Sequence, residues 1–216
     1  MEHSHNSHNS FFQAVRTEKQ DLTTPVLESH RRLLESGRSE HEISEALSRV
    51  GQASDVDRVY IFDVEPAADG NHLASQRFEW VAGGVTPQID NPDLQNVVLE
   101  TAGYSRWVRL LSNYEPVFGL IEEFPEEEKP LLTEQSIISL LVVPIFLEGE
   151  LRGFVGFDHC RARKVWTESD VDLLISLSIA IAPGISSGEQ GPDTFNTQAV
   201  NYVNLIRSLL SLRDVA

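Results

Sequence analysis

Residues 138–158, ISLLVVPIFLEGELRGFVGFD, decide how this chain is read. Two apolar runs, 138–147 and 151–158, flank the polar step Glu148-Gly149-Glu150, the pattern of a tight antiparallel hairpin. The first run is apolar almost without interruption, so both of its faces must be covered. Pro144 has no N–H to give to a ladder and predicts a bulge or a locally unpaired site. A strand pair buried on both sides needs a layer on each, so the expected class is α+β. Its architecture would be a central antiparallel β-sheet flanked by helices on both faces, with extra N- and C-terminal helices.

The flanking sequence supplies the other strands and the layers. Residues 56–64 (VDRVYIFDV) and 73–82 (LASQRFEWVA) read as a second hairpin around the turn-rich EPAADGN. Gly83, Gly84, Pro87 and Pro92 then break regularity over a longer connection than usual. Tyr104, Trp107, Val108 and Leu111 mark one side of a helix, and residues 116–121 a short strand. In FPEEEKPLL, Pro130 keeps any helix short or bent. Thr167-Glu168-Ser169-Asp170 caps a strong helix carrying Val171, Leu174, Ile175, Ser178 and Ala182, which Pro183-Gly184 is expected to stop.

Before the sheet, residues 21–38 predict a helix with Pro25 in its first turn and Val26, Leu27, His30, Leu33 and Leu34 on one face. A second opens with a Ser39/Glu42 capping box and an Ile43, Ala46, Leu47, Val50 stripe. Residues 1–20 form a polar tail with His3, His5 and His8. The main domain is expected over 39–184, a Ser/Gly linker over 185–192 and a C-terminal helix over 193–216. In that last helix Tyr202, Leu205, Leu209 and Leu212 recur at 3-4-3 spacing. The stripe is expected to pair two copies as a homodimer, with folding back onto its own sheet as the alternative.

Composition narrows the function classes. The 216 residues are 41% hydrophobic, enough for a core, and 17 Lys+Arg against 33 Asp+Glu leave a formal charge of −16. Such a surface repels phosphate backbones, so no nucleic-acid partner is expected. The longest apolar run, residues 140–147, is far short of a membrane helix, and the N-terminus lacks an apolar leader; no membrane insertion and a cytoplasmic location are the expectation. Cys160 is the single cysteine. That rules out an intramolecular disulfide, a CxxC pair and a cysteine-rich zinc site.

The order SLLVVPI…G-x-L-x-G-F-x-G-F-D…W-T-E-S-D…LL, with VDRVYIFDVE…SQRFEWVAGGVTPQIDNPDLQ and EPVFGLIEEFPEEEKPLL before it, resembles a GAF domain. It looks like the subtype found in bacterial sensor histidine kinases and diguanylate cyclases, and the likeness spans about residues 42–184. The resemblance implies a sheet with terminal helices on one face and a pocket under loops and short helices on the other. It also implies a sensory or regulatory role in signal transduction, such as a two-component system. Any output kinase or cyclase would then sit in another chain or in a larger protein. The family's best-known chemistries lack their residues here. There is no cysteine on the helix before the VVPI strand to attach a bilin, no second thiol for sulfoxide reduction, and no NKxFDE-like cyclic-nucleotide signature.

The candidate ligand pocket consists of Tyr60, Phe62, Arg77, Trp80, Trp107, Phe118 and Asp158. Each aromatic has a plain core role as its alternative, and Arg77 an intramolecular ion pair. Pigment-binding relatives place a histidine near His159. A redox or haem sensor on His159 and Cys160, with Arg161, Arg163 and Lys164 holding a thiolate, is therefore the weaker alternative, and an exposed strand-end pair the plainer one. The acidic run 122–128 is expected to be a solvated face. No nucleophile elbow, phosphate-cradling loop or HExxH occurs, and Asp158 shows no general acid/base partner. The expectation is a non-catalytic module without a metal or cofactor that binds a small ligand or partner. A purely structural dimerisation domain is the competing reading.

Overall fold

The computed structural model describes residues 23–35 and 39–185. The polar tail, the linker beyond residue 185 and the C-terminal helix with Tyr202, Leu205, Leu209 and Leu212 lie outside the described residues. In chain order the elements are α1 (Thr23–Glu35), α2 (Glu40–Ala53), β1 (Arg58–Pro66), β2 (His72–Val81), β3 (Val97–Val98), α3 (Ser105–Ser112), β4 (Val117–Leu120), α4 (Lys129–Glu134), β5 (Ser139–Leu147), β6 (Glu150–His159) and α5 (Glu168–Ile185). The strands form one sheet in the order β3-β2-β1-β6-β5-β4, with every neighbouring pair antiparallel. The hairpin on Glu148-Gly149 therefore lies inside the sheet, β6 between β1 and β5.

Strand alternation divides the core in two. Val59, Ile61, Leu141, Val143, Val155 and Phe157 face α1, α2 and α5. Tyr60, Phe62, Val64, Leu140, Val142 and Phe154 face α3, α4 and the long connection after β2. Ile61, Leu141 and Phe157 are fully buried, and burying such side chains is worth about 1.5–3 kcal/mol each. Helix ends follow the capping chemistry. Ser39 Oγ accepts from the Glu42 N–H at 3.4 Å, and Thr167 and Asp170 cap α5 reciprocally.

Local departures from the sequence expectations have physical causes. The irregularity expected at Pro144 falls one step later, between Ile145 and Phe146, where Arg152 is the extra residue across the ladder. In β2 Arg77 is a bulge residue: Ile61 lies opposite Phe78 but Phe62 opposite Gln76, so the facing of every later side chain is reset. The helix expected to stop at Pro183-Gly184 continues to Ile185, because proline forfeits one helical bond while its φ stays helical. On α1, Val26 and Leu33 are buried as expected, but Leu27 is turned to solvent at 62% exposure. His30 bonds the Ser176 carbonyl at 2.6 Å and ties α1 to α5.

Candidate cavity and its roof

A cavity of about 50 Å³ lies between the sheet face away from the terminal helices and a roof made by α3, α4 and the loop after β2. Its walls are mostly apolar. Leu94, Val97 and Leu99 come from the loop, and Leu131, Leu132 and Ile137 from α4 and the turn after it. Phe154 stacks on Phe62 at 4.8 Å and meets Trp107 edge-on at 6.1 Å. One end is polar, built by Arg58, Tyr60, Gln76, Glu79 and Asp158.

These polar groups arrive by period-two spacing. Arg58 and Tyr60 share one face of β1, and Arg58 lies opposite Asp158 in the ladder. Arg58 Nε stands 3.3 Å from Asp158 Oδ2, both side chains being buried. Arg58 Nη2 donates to the Gln135 carbonyl at 2.9 Å and to Cys160 Sγ at 3.1 Å. The Tyr60 hydroxyl donates to Asp158 Oδ1 at 3.0 Å. Burial pushes the Asp158 carboxyl up to about 7, against the pull of Arg58 and the Tyr60 bond. Burial, reinforced by the Asp158 charge, also raises the Tyr60 hydroxyl far above its ordinary value. Glu79 accepts from the Gln88 N–H at 2.8 Å and the Ile89 N–H at 3.0 Å and pins the loop beside the cavity. Gln76 is only 4% exposed, and its Oε1, like Arg58 Nε, is buried without a hydrogen-bond partner.

A buried carboxylate clasps the roof. Glu128 accepts from Arg106 Nε at 2.7 Å, from Arg106 Nη2 at 2.6 Å and from Trp107 Nε1 at 2.8 Å. Its carbonyl accepts the Tyr104 hydroxyl at 3.2 Å. The acidic run was expected to be a solvated face; Glu122, Glu123, Glu126 and Glu127 are exposed, whereas Glu128 is fully buried and joins α3 to the start of α4. Nothing in the run itself marks which carboxylate turns inward.

Of the residues named from sequence, Tyr60, Phe62, Trp107 and Asp158 come together at the cavity. Arg77, Trp80 and Phe118 do not line it. Arg77, the bulge residue, pairs with Asp63 at 3.1 Å and with Glu40 at 3.8 Å on the helix side. Trp80 packs into the helix-side core, over Gly51 of α2. Phe118 lies opposite Leu141, a helix-side residue, and is partly exposed near the sheet edge. Asp158 is held by Arg58 and by the Tyr60 hydroxyl. Arg58, Gln76 and Glu79 were missed. For Arg58 the signal was present, because it is two residues before Tyr60 and so shares its face of β1.

His159 and Cys160 are not an exposed pair. His159 is buried beside Trp166 and away from the cavity, its Nε2 at 2.6 Å from the Asp55 carbonyl. Burial raises the Cys160 thiol above its usual range in spite of the neighbouring Arg58. The cations expected to hold a thiolate are engaged elsewhere: Arg161 on Asp57, Arg163 on Glu122 and Lys164 on Asp170. Among the described residues, no group of three His, Cys, Asp or Glu side chains could hold a metal ion, and no helix is long and apolar enough to cross a membrane.

Comparison with known proteins adds an independent line. The family model for the GAF domain matches residues 40–185. Over 132 residues, 61% of this chain, the sequence is 40% identical to the methanogenesis regulatory histidine kinase FilI of Methanothrix harundinacea (strain 6Ac); the match spans 15% of that protein. The fold resembles the phycoerythrobilin-bound GAF domain from a cyanobacterial phytochrome, with TM-score 0.61 and 18% identity over 76% of this chain and 95% of that one. It also resembles the chromophore-binding domain of the bacteriophytochrome RpBphP3 from R. palustris, with TM-score 0.58 and 12% identity over 76% of this chain and 61% of that one.

Proposed function

The chain belongs to the GAF family, and from that premise we propose that it is a non-catalytic sensory module of a signalling protein. It holds a small ligand in the cavity beneath α3 and α4 and passes the change to its terminal helices. The output is a kinase or cyclase in another chain or in a longer protein of which this is one part. The histidine kinase relative, of which the match spans 15%, supports this reading. The signal passes through a homodimer whose helix pairing uses the Tyr202, Leu205, Leu209 and Leu212 stripe.

The observation that carries the ligand reading is a roofed cavity with a polar end, where Gln76 Oε1 and Arg58 Nε are buried without a hydrogen-bond partner. A purely structural module would fill this space with its own side chains. A cavity of about 50 Å³ suits a molecule of only a few non-hydrogen atoms. A metabolite panel tests the reading by thermal shift. A ligand bound only by the native form at about a hundred times its Kd adds roughly 2.7 kcal/mol, or about 5–10 °C for a domain of this size. A broad panel without a shift would leave the structural reading in place.

A further inference from the structure

Resting on the reading of the cavity as a ligand site, we infer the class of its ligand: an apolar molecule of about two to four non-hydrogen atoms, held by shape and dispersion. Size sets the first limit. The cavity measures about 50 Å³, about a third of the roughly 150 Å³ in which an apolar cavity takes up one benzene ring. A six-membered ring does not fit, whereas a dissolved gas or a short hydrocarbon does.

What the walls present sets the second limit. The charged groups at the polar end are sealed behind the lining. Arg58 and Asp158 are each only 1% exposed, and Arg58 Nε and Gln76 Oε1 are buried atoms that a molecule lodged in the cavity does not reach. Arg58 Nη2 is bound to the Gln135 carbonyl and to Cys160, and the Tyr60 hydroxyl to Asp158. Both Glu79 oxygens accept backbone N–H groups of the loop. An ion entering from water would shed its hydration and find these charges sealed or spent, a prohibitive exchange in an apolar site. A neutral polar molecule would lose its hydrogen bonds to water for the same poor return.

An apolar molecule meets the opposite balance. Phe62 and Phe154 face it from the sheet, Trp107 and Leu132 from the roof, and Leu99 and Ile137 from the connections. Wall atoms beside a void lack neighbours on that side, and a molecule in contact with them restores the missing dispersion. It leaves water at no cost in hydrogen bonds, as xenon does when it enters an apolar protein cavity.

Probes small enough to fit separate the classes: xenon, cyclopropane, formamide, formate and methylammonium, each titrated into the full chain at neutral pH and followed by amide NMR shifts. Xenon and cyclopropane should give saturable shifts at Leu99, Leu132 and Ile137. Formamide should bind about tenfold more weakly than cyclopropane, or worse, and the two ions more weakly still. Ala74 is fully buried and lines the cavity, so Ala74→Leu fills the space with its own carbons and should abolish the xenon and cyclopropane shifts. Formamide, formate or methylammonium binding at these residues as tightly as cyclopropane would overturn the apolar class while leaving the cavity a ligand site. Shifts that persist unchanged in a folded Ala74→Leu would place the apolar probes elsewhere and overturn the inference. No response at the cavity to any of the five would overturn both the class and the ligand reading. The wild-type ranking decides between the classes even if the variant fails to fold.

Discussion

Glu128→Ala removes the one carboxylate that joins the two helical pieces of the cavity roof. Its side chain is fully buried and accepts three bonds, at 2.6, 2.7 and 2.8 Å, from Arg106 and Trp107. Without it Trp107 Nε1 is left buried with no acceptor, a loss of about 1–3 kcal/mol. Arg106 is 33% exposed, so it can turn to water and adds only about 1 kcal/mol. The total is about 3 kcal/mol, the low end for breaking a buried pair, and corresponds to a fall of roughly 6–12 °C in Tm. Urea melts of three variants form the assay. Glu127→Ala, next in sequence but exposed, should stay within about 0.5 kcal/mol of the parent. Glu128→Gln, which keeps the shape and one acceptor, should fall between the two. If Glu128→Ala were no more costly than Glu127→Ala, the clasp would not hold the roof.

Gly51→Ala should cost about 1–3 kcal/mol, because the added methyl would overlap the Trp80 ring; an unchanged chemical melt would show that the ring yields freely. Stability should also depend on pH through two raised carboxyls, Asp158 at about 7 and Asp63 at about 6, both pushed up by burial from 3.8. Each folded value exceeds the unfolded one, so the contribution is complete below about pH 4 and is lost as pH rises through 6 to 7. Between pH 6 and 8 the unfolding free energy should drop by about 1–2 kcal/mol, and Asp158→Asn should remove most of that slope; a parent-minus-variant difference that is flat over this range would refute it. Leu205→Glu with Leu209→Glu should halve the mass seen by light scattering across a dilution series, and an unchanged mass would refute the proposed helix pairing.

The sheet was legible because its evidence is local and redundant. The Glu148-Gly149 turn, the unbroken apolar run before it and the caps at Ser39 and Thr167 each act over a few residues, and all agree. The cavity was legible only where alternation stayed in register. Tyr60, Phe62 and Asp158 follow from period two on β1 and β6. Once Arg77 enters as an extra residue the count shifts, so Gln76 and Glu79 share a face that no uninterrupted alternation gives them. Trp80 is sent to the helices by the same step. Glu128 was hidden for another reason: its burial depends on Arg106 and Trp107, more than twenty positions earlier, and a run of like residues carries no mark of which one a distant donor will choose.

The same bulge determines how the two faces of the sheet can influence each other. Gln76 and Arg77 are adjacent in the chain, yet one borders the cavity and the other pairs with Asp63 and with Glu40 at the start of α2. Those ion pairs are half exposed on the Arg77 side, and exposed pairs are worth at most about 1 kcal/mol, too little to hold one arrangement of α2 over another. Trp80, four residues beyond Gln76, sits on Gly51 so closely that no side chain fits between them. A close-packed contact of this kind resists small displacement far more steeply than an exposed ion pair. A ligand can shift the helices only by its difference in affinity between two arrangements. A displacement of β2 would therefore meet α2 first at the Trp80 ring over Gly51, before the exposed Arg77 pairs could resist it.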